Sequence, residues 1–259
     1  MDLGIKGRSA IVCGSSKGLG LACATALADA GVEVLLNGRS PEPLAAAAQR
    51  LSDRVGRPVA SVAADVTTED GRARLLEACP EPDILVTNAA GPPPGQFEDW
   101  GEAEWHAAVQ ANMVAPLQLI RATIPAMRRR GWGRILNITS SAVKSPVAML
   151  GLSTGARSGL TGAVASLARE AAADGVTINN LLPGYFDTDR LAGVFAAQAA
   201  RAGVPAADLR VRAEAANPTR RVGRPEEFGA VCAFLASQHA GFINGQNLLL
   251  DGGAFPGVF

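Results

Sequence analysis

The sequence predicts an α/β protein, a single-domain, doubly wound sheet of seven mainly parallel strands with helices on both faces. Three observations predict it. Short β-rich runs alternate with alanine-rich helical stretches along all 259 residues. Most strand candidates are continuous apolar runs rather than alternating ones, as strands covered on both faces require. No repeat, low-complexity tail or composition break divides the chain, so residues 1–259 read as one domain of a length α/β units often reach.

The first strand candidate, Ser9–Cys13, ends at Gly14 and is followed by a helix over Leu19–Ala30. A second strand, Val32–Asn37, leads into a helix at Pro43–Leu51, and a third, Val59–Ala63, into a helix at Glu69–Ala78. The fourth strand, Asp83–Thr87, is followed by "AAGPPPGQFEDWG", a stiff proline-rich loop, and then by one long helix over Glu102–Arg130. Gly133–Thr139 and Thr177–Leu182 are the fifth and sixth strands, with a helix over Leu152–Ala173 between them. Residues 185–219 form a second long insertion, partly helical, which reads as a lid. A helix at Pro225–Ser237 and a strand at Asn247–Leu250 complete the set. Ligands of open α/β sheets bind beyond the carboxyl ends of the strands, so both insertions are placed to wall a pocket there.

Composition narrows the function. Lysine plus arginine equals aspartate plus glutamate, 24 each, so no overall field draws in nucleic acid or an acidic membrane, and a small-molecule partner is expected. "RRR" at Arg128–Arg130 ends a helix, where cations suit the dipole. No apolar run approaches a membrane span. Cys13, Cys23, Cys79 and Cys232 lack paired ligand spacing and suit reduced thiols in a cytoplasmic protein. His106 and His239 stand apart from other ligand types, so no metal site is expected.

The turn after the first strand, "GSSKGLG", comprises Gly14, Ser15, Ser16, Lys17, Gly18, Leu19 and Gly20. Its glycines allow backbone N–H groups at the helix start to approach a pyrophosphate, which points to a dinucleotide. A site for NAD usually has an acidic residue at the end of the second strand; here Asn37, Gly38, Arg39 and Ser40 stand there. Arg39 can grip a 2′-phosphate, with Lys17 as a second positive charge, so the expected cofactor is NADPH. Asp65 and Val66 suit the adenine edge, and Asn88, Ala89 and Ala90 leave room for a ribose.

These pieces, with "QANMVAP", "GRILNITSS", "LLPGYFDT" and "NGQNLLLDGGA", make the chain resemble the classical short-chain dehydrogenase/reductase family over essentially its full length. The resemblance implies a Rossmann-type domain, commonly assembled as a homotetramer, with a homodimer the smaller alternative. It also implies that Asn112 positions a water chain, that Ser140, with Ser141 beside it, holds the substrate oxygen, and that Pro183, Gly184 and Thr188 grip the nicotinamide end. The family's general acid is a tyrosine, with a ribose-binding lysine four residues on. At the corresponding spacing this sequence has Ser153 and Arg157, an arginine that can keep the ribose contact to the cofactor, and its one tyrosine is Tyr185.

A ketone reduced by hydride leaves an alkoxide that must be protonated. Tyrosine, with a pKa near ~10, can supply that proton, whereas serine is a far poorer acid and arginine stays charged up to a pKa of roughly 12 or more. Losing the acid costs about 10²–10⁴ in rate. Three readings follow. In the first, a reductase of specialised metabolism acts on an acceptor that needs no strong acid, either an iminium formed from a hemiaminal, assisted by Asp187 or Asp189, or a conjugated carbonyl. In the second, a carbonyl reductase of the 3-oxoacyl type uses another proton donor, for which Lys144 is the candidate. In the third, the protein binds NADPH without turnover.

Overall fold

The computed structural model describes residues 1–258. Its centre is a seven-stranded sheet in the order β3-β2-β1-β4-β5-β6-β7, every neighbouring pair parallel. The strands are β1 (Ser9–Val12), β2 (Glu33–Gly38), β3 (Ala60–Ala63), β4 (Ile84–Thr87), β5 (Gly133–Ile138), β6 (Val176–Pro183) and β7 (Asn247–Leu250). Three helices precede β4: α1 (Gly18–Asp29), α2 (Pro41–Val55) and α3 (Glu69–Ala78). Helices α4 (Glu102–Val109) and α5 (Ala115–Arg129) lie between β4 and β5, and α6 (Gly151–Ala171) lies between β5 and β6. After β6 come α7 (Asp189–Ala202), α8 (Ala206–Ala216) and α9 (Pro225–Leu235).

Apolar side chains on both faces of the sheet produce two cores. On one face Val12, Leu36 and Leu181 meet Leu27 of α1, Leu44 of α2 and Phe228 of α9. On the other, Ile11, Leu85 and Ile135 meet Leu75, Leu119, Ile120 and Leu160 from α3, α5 and α6. Each fully buried side chain of this size contributes about 1.5–3 kcal/mol, so the sandwich of helices on the sheet is the principal source of stability.

The strands are less uniformly apolar than their sequence suggests. Thr87, Asn137, Asn180 and Asn247 are direct register neighbours across β4, β5, β6 and β7. Their side chains form a continuous chain: Thr87 Oγ1 donates to Asn137 Oδ1 at 2.6 Å, Asn137 Nδ2 to Asn180 Oδ1 at 2.9 Å, and Asn180 Nδ2 to Asn247 Oδ1 at 2.8 Å. The buried Thr87, Asn137 and Asn180 each find a partner on the adjacent strand, which offsets the cost of burying them.

The single long helix predicted over Glu102–Arg130 is instead two helices joined by a wider turn of the π type at Gln110–Val114. Pro116 lacks the N–H that a regular helix would direct at the carbonyl four residues back, that of Asn112, and its ring crowds that position. The turn widens there, and Asn112 Nδ2 donates to Ala108 O at 3.3 Å and to Ala90 O at 3.4 Å. The predicted lid folds as α7 and α8 over its own small apolar cluster of Leu191, Phe195 and Val222.

Candidate active site

A cavity of about 630 Å³ opens at the carboxyl ends of the strands, walled on one side by the turn between β1 and α1 and on the other by α6 and α7. Its dinucleotide end is built from backbone. Gly14 and Gly18 adopt left-handed conformations, φ +57° and +58°. A Cβ on Gly20 would stand 2.2 Å from Gly14 O, so the helix can start this close to the strand only with glycine there. Neither an acidic side chain in the first turn nor a side-chain cap takes up the N–H groups at the start of α1, which suits a bound phosphate.

Gly14, Ser16, Lys17, Gly18 and Leu19 line the cavity. Ser15 does not: it is fully buried, its hydroxyl donates to Val12 O at 2.7 Å and accepts from Asn37 N at 3.0 Å. The expectation that Ser15 touches the cofactor is therefore corrected; it fastens the turn to β1 and β2. Gly20 likewise shapes the turn from beneath the cavity. Asn37 reaches the cavity edge, while its amide donates to Val62 O and Ala64 O and ties β2 to the end of β3. Arg39 and Ser40 are exposed on the cavity rim, and no acidic side chain engages Arg39. Asp65 and Val66 line the same end, the Asp65 carboxylate accepting from Thr67 N and Oγ1 at 2.9 and 2.8 Å. Lys17 is paired with Asp189 at 2.9 Å, both exposed, so its charge is shared with the start of α7.

Asn88, Ala89 and Ala90 form the floor, with Asn88 Nδ2 donating to Gly14 O at 3.2 Å. Pro183, Gly184 and Thr188 also line the cavity, and Thr188 Oγ1 caps α7 by accepting from Leu191 N at 3.3 Å. Asn112 is buried behind this floor, its amide directed at Ala90 O rather than into the open space.

At the reacting end Ser140 and Ser141 stand after β5, Ser140 Oγ accepting from Ala142 N at 3.1 Å. Ser153 and Arg157 face the same space one helical turn apart on α6, and Arg157 Nη1 donates to Ser153 Oγ at 2.6 Å. Burial, and next to it the charge of Arg190, pull the Arg157 guanidinium down to about 10, still charged at neutral pH. Among the described residues no carboxylate pairs with it.

Lys144 is corrected. It is exposed, lies outside the cavity, and its Nζ stands 6.0 Å from the centre of the Phe255 ring, so the structure gives it no path to a reacting oxygen. The two acids expected to support a cation are also committed elsewhere, Asp187 to Arg210 at 2.8 Å and Asp189 to Lys17. Arg210 holds the Asp187 carboxyl below its ordinary range. Tyr185 lines the cavity edge-on to Phe195, ring centres 5.6 Å apart. The sequence reading missed Arg190, whose guanidinium reaches across from α7 to donate to Pro92 O at 2.8 Å.

Among the described residues no helix is long and apolar enough to cross a membrane, and no three His, Cys, Asp or Glu side chains gather as metal ligands do.

Residues 14–254 match the sequence model of a family described as enoyl-(acyl carrier protein) reductase. The chain is 33% identical to nodulation protein G of Azospirillum brasilense over 94% of its length and 96% of that protein. It is 30% identical to the 3-oxoacyl-[acyl-carrier-protein] reductase of Vibrio cholerae, over 98% of this chain and 99% of the other. The structure superimposes on L-sorbose reductase from Gluconobacter frateurii, solved with NADPH and L-sorbose, with a TM-score of 0.93 at 28% identity, covering all of both chains. With its parallel sheet, glycine turn and cavity at the strand ends, this chain is a member of the short-chain dehydrogenase/reductase family and an oxidoreductase.

Proposed function

We propose that the protein is an NADPH-dependent reductase of conjugated carbonyl compounds, in which Ser153 and Arg157 hold the oxygen on which negative charge develops. The carrying observation is the 2.6 Å hydrogen bond from Arg157 to Ser153 Oγ. Because that oxygen accepts from a guanidinium, its own O–H is left to donate to a substrate oxygen and is made a better donor by the adjacent charge.

The residues present fit the dinucleotide. The open N-terminus of α1 and the left-handed glycines suit its pyrophosphate, and Arg39, without an acidic neighbour at the end of β2, suits a 2′-phosphate. The solved relative that binds NADPH supports the same choice. When bound, the reduced nicotinamide supplies a hydride.

Hydride arriving at the β-carbon of an enone pushes the alkene electron pair toward the carbonyl oxygen, forming an enolate. The Ser153 hydroxyl and the Arg157 charge stabilise that oxyanion, and water then delivers a proton to the α-carbon, leaving the saturated ketone. An unconjugated ketone would instead leave a localised alkoxide facing a hydroxyl too weakly acidic to quench it. The iminium alternative fares worse electrostatically. Arg157 and Arg190 make the reacting end positive, while Asp187 and Asp189 are held by Arg210 and Lys17.

The test is NADPH consumption by the purified protein with 2-cyclohexenone, cyclohexanone and 1-pyrroline. The enone is expected to lead the ketone by about 10²-fold, the scale of a missing acid. Replacement of Ser153 by alanine should reduce enone turnover by about 10- to 100-fold. First rank for 1-pyrroline would overturn the proposal in favour of the iminium reading. A second reading rests on Tyr185 lining the same cavity: ketone reduction that collapses in Tyr185→Phe would move the acid's role to that phenol. Binding of NADPH with no turnover of the three compounds would favour the non-catalytic reading.

A further inference from the structure

We infer that Arg157 and Arg190 together bind a carboxylate of the substrate, so that the molecule reduced is an organic acid with a small apolar body. The inference rests on the conjugated-carbonyl reading for the chemistry, while the anion site stands on its own geometry.

Both guanidinium groups converge on Gly91, the residue that follows the cavity floor. A methyl group on Gly91 would stand 3.1 Å from Arg190 Nη2 and 3.5 and 3.6 Å from Arg157 Nη1 and Nη2. Two like charges brought together from different helices repel unless an anion lies between them. Of the other cationic side chains that line the cavity, Lys17 is neutralised by Asp189, and Arg39 stands at the dinucleotide end. Among the described residues no carboxylate pairs with Arg157 or Arg190. Arg157 uses Nη1 on Ser153, and Arg190 uses Nη2 on Pro92 O, which leaves Nη2 and Nε of the first and Nη1 and Nε of the second without an acceptor among the described residues.

Helix stability does not account for the placement of Arg190. It occupies the first turn of α7, where the dipole favours an anion and disfavours a cation. Its side chain instead reaches the Pro92 carbonyl, just past the cavity floor. Val147, Leu150, Leu191 and Val194 give the same cavity apolar surface. A forked pair of donors set in such a wall matches the two oxygens of a carboxylate attached to a hydrocarbon body. The same carboxylate would offset the mutual repulsion and align the substrate with Ser153.

The test uses the full-length protein with NADPH and two enones that differ only in charge, 6-oxohept-4-enoate and its methyl ester. Two methylenes separate the carboxylate from the enone, so the intrinsic reactivity of the two is matched. Wild type is expected to favour the acid by about 10- to 100-fold in kcat/KM, mainly through KM. Arg190→Leu should abolish this preference, and Arg190→Lys should retain part of it, since an ammonium supplies charge without the fork.

A second measurement is independent of turnover. Heptanoate, which has no reducible group, should bind the NADP⁺-loaded protein by calorimetry and weaken at least about tenfold in Arg190→Leu. Equal use of acid and ester, or heptanoate binding that is absent or indifferent to Arg190, would overturn the inference. So would a large loss of NADPH affinity in Arg190→Leu, because the arginine would then serve the dinucleotide. Heptanoate binding that depends on Arg190, with neither enone reduced, would uphold the carboxylate site and overturn the conjugated-carbonyl reading.

Discussion

The two ends of the cavity are built on different principles. At the dinucleotide end, shape comes from backbone: glycine conformations, a helix start without a cap, and polar side chains such as Ser15 and Asn37 engaged by neighbouring strands. At the reacting end, character comes from side chains on separate helices, with Ser153 and Arg157 on α6 meeting Arg190 from α7. A backbone-built site tolerates little change, because a carbonyl cannot move aside as a side-chain tip can. A site built from side chains can exchange its chemistry without disturbing the fold. That difference would let one end retain the glycine turn while the other carries Ser153 and Arg157 where the family resemblance implies a tyrosine and a lysine.

The sharpest way to break this contrast is at Gly20. Replacing it with valine should reduce NADPH affinity by more than about 100-fold and lower the melting temperature, since even its Cβ would lie 2.2 Å from a backbone carbonyl. Fluorescence titration and a thermal melt would read both, and near-native binding would show the turn to be more pliant than a backbone-built site allows.

A smaller effect is expected at Arg39, where Arg39→Leu should narrow the preference for NADPH over NADH by about 10- to 100-fold while leaving the fold intact. An unchanged ratio of the two affinities would remove Arg39 from phosphate recognition.

At the reacting end the sign of the pH dependence follows from Arg157. Its guanidinium is lowered to about 10, so the charge and its hydrogen bond to Ser153 are present at neutral pH. Enone turnover should therefore decline as pH rises through about 10. Stability carries the opposite sign: the unfolded arginine holds its proton to higher pH, so the burial penalty on the charged form is relieved above the folded value. A profile that falls on the acid side of neutrality would implicate a different group.

The smallest effect should come from Asp189→Asn at the seam between the two ends. The pair with Lys17 is exposed, and its loss should change NADPH affinity by less than about fivefold.

The comparison also separates what could be read along the chain from what could not. Alternating strand and helix patterns gave the seven strands to within a residue or so at each end, because strands covered on both faces are predominantly apolar. Glycine spacing located the dinucleotide turn, because left-handed φ and a 2.2 Å approach each demand that residue. Spacing along α6 placed Ser153 and Arg157 on one face, a matter of helix period alone. The long helix before β5 was read as uninterrupted, since Pro116 marks a disturbance without saying that a π-type turn will absorb it.

Contacts between distant segments had no such local signature. Nothing near Lys144 announces that its ammonium faces Phe255 rather than the cavity, and nothing near Asp187 announces Arg210 as its partner. Thr87, Asn137, Asn180 and Asn247 are far apart along the chain and meet because the parallel register aligns them across four strands. Arg190 is thirty-three positions from Arg157, and its role emerges when α7 folds back over the floor at Gly91. Local conformation is governed by sterics and periodicity within a few residues, so the chain dictated its elements and its glycine turn. Charge balance depends on distances through space, so which arginines are left without a counter-ion was settled by how the helices pack.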